Sequence, residues 1–160
     1  MDDIEIRLCV PPVTVTVSPK DTLCEGDSVT LKSNFTNDGS FTEPLSYKWF
    51  KKFTATDSWI ELSTTTENIT LDPITQTDQG YYRVAVSSSG GINSKNCRAM
   101  SDSVYLKINS CASVTDYFCK GGSYLFNGKV LTSSGVYIDT LTSFLGNDSI
   151  VTLTLIEITP

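Results

Sequence analysis

The chain contains no histidine. That single absence removes the commonest general base, the usual activator of a nucleophile and a principal zinc ligand. Hydrolysis by two carboxylates would survive it, but nothing in the sequence marks such a pair. Basic residues are scarce: 12 Lys and Arg stand against 18 Asp and Glu, a net charge of −6. Phosphate recognition needs clustered cations, so nucleic acid is excluded as a partner. The densest basic stretch, Lys48, Lys51 and Lys52, reads as a solvated strand edge. No apolar run approaches the ~20 residues that span a bilayer, so direct membrane insertion is not expected. Met1-Asp2-Asp3 opens no signal peptide, because neither a basic nor an apolar region follows. Met1 reads as the start of an excised fragment of a larger parent. Asp21, Glu25 and Asp27 crowd one turn and make calcium the one metal to consider. An EF-type loop with its fixed Gly and terminal Glu is missing, so no metal and no cofactor are expected. A nucleophile elbow is missing too, and the chain does not read as an enzyme.

What is present is β-structure. Val13-Thr14-Val15-Thr16-Val17 and Ser28-Val29-Thr30-Leu31-Lys32 alternate with period two, and helical periodicity is nowhere sustained. Leu45 to Phe50 carries Tyr47 and Trp49 on one face. Trp59 to Leu62 is short, and Ile69-Thr70-Leu71 runs into Asp72-Pro73, a break that no central strand tolerates. Tyr82 to Val86 alternates, Ser87 to Gly91 is a turn cluster opening a long connection to Asn96, and Val104 to Ile108 closes the set. Seven short strands separated by turns predict a two-sheet β-sandwich over residues 10–109. Residues 110–160 form a separate, small all-β unit, rich in hairpins. Tyr124-Leu125-Phe126 meets Asn127-Gly128, the strongest short hairpin signal, and Lys129-Val130-Leu131 returns. Val136 to Leu141 and Ser149 to Ile158 are further strands. A unit this small has a marginal core unless stapled or packed on a neighbour. The two parts share a local pattern, Cys24-Glu25-Gly26-Asp27-Ser28 and Cys119-Lys120-Gly121-Gly122-Ser123, as a cut from a tandem array would.

Asp78-Gln79-Gly80-Tyr81-Tyr82 reads as Asp-x-Gly-x-Tyr, with Trp49 upstream. The pairing resembles an immunoglobulin-type sandwich: a Trp on strand C, and a tyrosine corner where the chain enters strand F. Trp49, Asp78, Gly80 and Tyr82 are therefore the expected structural core. An antibody-type domain would carry cysteines near positions 33 and 84, where this chain has Ser33 and Val84. Cys24 to Leu31, Trp49 and the Asp78–Tyr82 motif resemble the Ig-like repeats of very large secreted proteins of Bacteroidetes. The second part is the more specific match. Cys119-x-Gly121-x-Ser123-Tyr124, Phe126-Asn127-Gly128, Ser134-Gly135-Val136-Tyr137 and Asp148 to Leu155 resemble a repeat of adhesin-like, often gliding-motility-associated surface proteins of that phylum. The resemblance implies a multi-repeat protein exported to the cell surface. It departs from the family at Gly146-Asn147-Asp148-Ser149, where a Cys is usual, which leaves Cys119 without its expected partner.

Five cysteines in a Ser/Thr-rich, strand-rich chain favour an oxidising, extracellular setting, and an odd count leaves at least one unpaired. Strands run up and down, so turns alternate ends. Cys9 and Cys97 belong to one end of the sandwich, Cys24 and Cys111 to the other. A strand of eight residues spans about 26 Å, whereas a disulfide needs Cα atoms within about 7 Å. The expected pairings are Cys9–Cys97 and Cys24–Cys111. Cys111–Cys119 is the main rival, and Cys119 is the candidate unpaired thiol.

Trp59 follows Asp57-Ser58 on an edge strand and is the candidate ligand contact, set against simple edge packing. Thr22, Ser28, Ser103, Thr140 and Ser149 each follow Asp and precede an apolar residue. They resemble the sites at which Bacteroidetes O-glycosylate exported proteins, although a polar turn entering a β-strand gives the same letters. The reading is a non-catalytic Ig-like segment of a bacterial surface adhesin, monomeric as a fragment. Its partners are neighbouring repeats of the same chain and surface glycans or polysaccharide. The alternative is a carbohydrate-binding or accessory module of a secreted polysaccharide-degrading enzyme.

Overall fold

The computed structural model describes residues 11–19, 22–142 and 148–159. The chain divides into two compact units, Met1–Lys107 and Ile108–Pro160. Both are all-β, and the one helical element among the described residues is a single 3₁₀ turn, Gln76–Asp78.

The first unit is an Ig-like sandwich of two sheets. One sheet has the order β1 (Val13–Ser18), β2 (Val29–Phe35), β5 (Asn68–Leu71). The other runs β4 (Ile60–Glu61), β3 (Leu45–Lys52), β6 (Gly80–Ser88), β7 (Ala99–Met100), with β8 (Val104–Leu106) also on β6. All pairs are antiparallel. Period-two alternation buries Val29, Leu31 and Ser33 of β2 in one sheet and Tyr82, Val84 and Val86 of β6 in the other. Trp49 lies directly opposite Val84 across β3 and β6, and both are fully buried. Its indole N–H donates to the carbonyl of Thr66 at 2.9 Å, which satisfies the polar edge of a ring otherwise surrounded by carbon. Ser33 stands where antibody-type domains hold a cysteine, and its buried hydroxyl finds no partner among the described residues. The sandwich therefore closes at this point by packing around Trp49, without a covalent bridge.

The last strand of this unit is broken. β7 pairs through Ala85 and Val86, β8 through Gly80 to Tyr82, and Ser101 fills the interval. Its N–H donates to the Val84 carbonyl, and its hydroxyl accepts the Val84 N–H at 3.0 Å. Both main-chain groups of a core residue are thereby satisfied inside the break.

The second unit has a three-stranded sheet, β12 (Gly135–Thr142), β13 (Asp148–Ile158), β9 (Ser110–Cys119), and a separate hairpin, β10 (Tyr124–Phe126) with β11 (Lys129–Leu131). The hairpin turn has Asn127 at φ 45° and Gly128 at φ 81°. Two successive positive φ angles define the type I′ turn that Asn-Gly favours. Phe118, Leu153 and Leu155 form the core, with Tyr124, Phe126, Leu131 and Tyr137 packed against it. β13 pairs with β12 antiparallel and with β9 in parallel. β9 has no counterpart in the strand pattern read from sequence. Its first six residues are exposed and Phe118 is its one buried residue, so it carries no alternation to read.

The shared Cys-x-Gly pattern folds the same way in both units. Asp27 N–H donates to Cys24 O at 3.1 Å and Gly122 N–H to Cys119 O at 2.8 Å. The glycine within each turn has positive φ, 96° at Gly26 and 77° at Gly121. Each is a tight turn delivering the chain into a strand, and each uses the glycine where a side chain would strain it.

Candidate functional site

The tyrosine corner is built from a short cap. Asp78 Oδ2 accepts the N–H of Thr75 at 2.8 Å and its hydroxyl at 2.9 Å, which winds residues 75–78 into the 3₁₀ turn. Gly80 then leaves the turn at φ 144° and enters β6. The Tyr82 hydroxyl reaches back and donates to the Asp78 carbonyl at 2.6 Å. Lys51, buried on the inner side of β3, donates its ammonium to the Thr77 carbonyl and lies 5.2 Å from the Tyr82 ring centre. Burial lowers the Lys51 pKa, and the Asp78 carboxylate offsets part of that. These residues act on one another and close the core at this corner.

The second unit carries a matching device that the sequence reading missed. Ser133-Ser134-Gly135-Val136-Tyr137 has the same Gly-x-Tyr spacing, and the Tyr137 hydroxyl donates to the Ser133 carbonyl at 2.8 Å, four residues back. The legible signal was Gly135-x-Tyr137 at a turn entering a strand, hidden because Ser133 replaces Asp.

Burial and the Asp78 carboxylate raise the Tyr82 pKa well above the tyrosine range. An unfolded tyrosine ionises near pH 10. The stability contributed by Tyr82 is therefore complete below about pH 10 and is lost as the pH rises beyond it. Tyr82→Phe is expected to cost about 1–2 kcal/mol at neutral pH. It should also flatten the fall in stability above about pH 10. Urea midpoints of both proteins across the alkaline range check this; parallel pH profiles would refute it.

Cys24 and Cys111 are disulfide-bonded, as one of the two expected pairings has it. The other is corrected. Cys97 carries a free, exposed thiol, so Cys9–Cys97 does not form; Cys9 itself lies outside the described residues. The cause is local: successive turns run Gly91 N–H to Ser88 O, Ser94 N–H to Gly91 O and Cys97 N–H to Ser94 O. The Ser87 hydroxyl then donates to the Cys97 carbonyl at 2.5 Å. The backbone of Cys97 is thus held inward and its side chain outward. Cys119 is also free and exposed, which excludes the rival Cys111–Cys119. The long 87–96 connection is consequently a ladder of turns, pinned further by Lys48 Nζ on Asn93 Oδ1 at 2.7 Å and Arg98 Nη1 on the Ile92 carbonyl at 3.1 Å.

Trp59 is half-buried, with the Arg83 guanidinium 4.0 Å from its ring centre and the Lys52 ammonium 4.9 Å away. It belongs to a larger arrangement on the outward side of the sheet. Phe50 lies opposite Arg83, and Lys52 opposite Tyr81, which in turn lies opposite Tyr105. Opposed residues in an antiparallel pair share a face. Arg83 and Arg98 each stand 5.4 Å from the Phe50 ring centre. Their cover explains why an outward phenylalanine is only 8% exposed and why Trp49, Phe50 and Lys51 are buried in succession. Tyr81 and Tyr105 rings lie 4.7 Å apart, and Tyr105 is exposed. The stretch read as a solvated lysine edge is therefore divided: Lys51 faces the core, while Lys48 and Lys52 join this cation–aromatic face.

Asp27 Oδ2 accepts the Cys24 N–H at 2.8 Å and serves the turn; Asp21 lies outside the described residues. Among the described residues no three Cys, Asp or Glu side chains converge as metal ligands. Thr22, Ser28, Ser103 and Thr140 are exposed, whereas Ser149 is half-buried in β13.

No family model and no curated protein matches the sequence. Among solved structures, the chain is similar to the second Ig-C2 domain of human Fc-receptor like A, with a TM-score of 0.44 and 10% identity over 61% of this chain and 96% of that one. It is also similar to the three N-terminal domains of the bacteriophage RB49 highly immunogenic outer capsid protein, with a TM-score of 0.48 and 15% identity over 91% of this chain and 59% of that one. Sidekick-1 immunoglobulin domains 1–5 give a TM-score of 0.38 and 14% identity, over 92% and 38% of the two chains.

Proposed function

We propose that this chain is a non-catalytic, repeat-built segment of a bacterial cell-surface adhesin, acting in adhesion as a stalk or binding module. One observation carries the reading: two units of different size use the same two devices. Each has a Cys-x-Gly turn after its first strand, and each locks a strand start by a tyrosine hydroxyl on the carbonyl four residues back. Repetition of local devices in successive units is what tandem-array proteins show. The resemblance of residues 119–155 to repeats of gliding-associated surface proteins supports the same origin. The Cys24–Cys111 disulfide fits an oxidising, extracellular setting.

Antibody against the chain should label intact cells of the producing organism, and its Fab fragment should reduce their attachment to surfaces. Labelling that requires permeabilised cells would overturn the proposal. A carbohydrate-binding module of a secreted enzyme is the second reading, favoured by the cation–aromatic face; a catalytic domain in the same polypeptide would decide for it.

A further inference from the structure

Arg83 is the most unusual side chain of the first unit. Its guanidinium is stacked on Trp59 and set over Phe50, and its Nε–H is buried without a partner. Among the described residues it makes no hydrogen bond and no ion pair. Arg98 stands over the same Phe50 ring and spends one nitrogen on the Ile92 carbonyl. Lys52 spends one proton on the Ala55 carbonyl and lies over Trp59 and Tyr81. Glu61, the carboxylate opposite Phe50, is engaged by Lys48 at 2.7 Å. Three cations thus share one sheet face with no carboxylate paired to them among the described residues, in a chain whose net charge is −6. Burial lowers the pKa of Arg83, and the neighbouring Arg98 lowers it further. Two like charges held together over an aromatic ring oppose folding, and a bound oxyanion would relieve them.

We infer that the face formed by Arg83, Arg98 and Lys52, with Tyr81 and Tyr105 beside them, binds an acidic polysaccharide through its carboxylate or sulfate groups. The inference rests on the surface-adhesin reading and gives it a ligand class. Guanidinium forks match planar or tetrahedral oxyanions in pairs of hydrogen bonds. Positions two apart along a strand are about 7 Å apart and neighbouring strands about 4.8 Å, so the cations form a short grid for a polymer with repeating charge. The exposed Tyr105 ring and its partner Tyr81 supply an apolar face for a sugar ring next to that grid. The overall negative charge repels polyanions elsewhere on the chain, which confines binding to this face.

The test uses the whole chain with polygalacturonate, heparin, dextran and single-stranded DNA as probes, by affinity electrophoresis and calorimetry. Binding to polygalacturonate assigns carboxylate and binding to heparin assigns sulfate. Arg98→Gln should weaken it about tenfold, the loss of one charge-assisted bond. The melting temperature should fall with the Ile92 bond and the cover over Phe50, so binding is compared at a temperature where circular dichroism shows both proteins folded. Arg83→Lys keeps the charge and loses the fork, and should weaken binding in a protein that still folds. Lys129→Gln, on the second unit, should change nothing. Binding to neither acidic glycan, equal binding to dextran or DNA, or equal binding by Arg98→Gln and Arg83→Lys would overturn the inference. Such a failure leaves cell-surface labelling untouched, so the two readings fail separately.

Discussion

Replacing Gly80 with alanine is expected to cost the first unit about 2–6 kcal/mol of stability. A Cβ on Gly80 would lie 2.5 Å from the carbonyl oxygen of Lys52, and Lys52 is held in β3 by its pairing with Tyr81. The clash is therefore between two paired backbones, with no flexible side chain to yield. The φ of 144° adds a conformation that residues with a side chain rarely adopt. Such backbone strain costs about 1–3 kcal/mol, and overpacking about 1–3 kcal/mol more. A small domain has roughly 5–15 kcal/mol in total. Gly135 is the internal control, since it holds the equivalent place before Tyr137. Its Cβ would meet the Tyr137 ring at 3.5 Å, an ordinary contact, and its φ is not positive. Gly135→Ala should cost less than about 1 kcal/mol. Urea unfolding of both variants checks the contrast; equal small losses would show that β3 can move away from the corner.

Trp49→Ala is the second large loss. The indole is fully buried between the sheets, opposite Val84, and its removal leaves a cavity that the facing strands cannot close. Phe or Trp to Ala changes in cores cost about 3–5 kcal/mol. The Thr66 carbonyl also loses its donor. No disulfide at Ser33 and Val84 is present to hold the sheets together, so this unit depends on the ring more than a bridged domain would. Trp59→Ala provides the comparison. That ring is half-buried and stacked under Arg83 and Lys52, contacts worth about 0.5–1 kcal/mol each. Denaturant midpoints should separate the two by several-fold in cost; similar values would place Trp59 in the folding core.

Much of the fold was legible because its signals are local. Alternation in β1, β2 and β6 names the inward residues directly, and Asn127-Gly128 names a hairpin and its turn type. Asp78-x-Gly80-x-Tyr82 names a corner because the hydrogen bond spans four residues. Cys24 and Cys111 were paired from strand directions alone. Cys97 was mispaired because a ladder of turns, invisible as a pattern, turns its thiol outward.

Local chemistry in the sequence determined an all-β chain, an Ig-like sandwich, its corner and its Asn-Gly hairpin, because each depends on residues a few positions apart. Tertiary structure decided what depends on partners far along the chain. β9 is a strand because β13, some forty residues later, offers a parallel edge; its own residues, mostly exposed, carry no period. Phe50 is buried on an outward face because Arg83 and Arg98 come from a facing strand and a later turn. The same cross-strand pairing, and no run of basic letters, gathers the three cations into one face. Side chains that meet across a sheet leave no spacing in the sequence, and there the fold alone sets the chemistry.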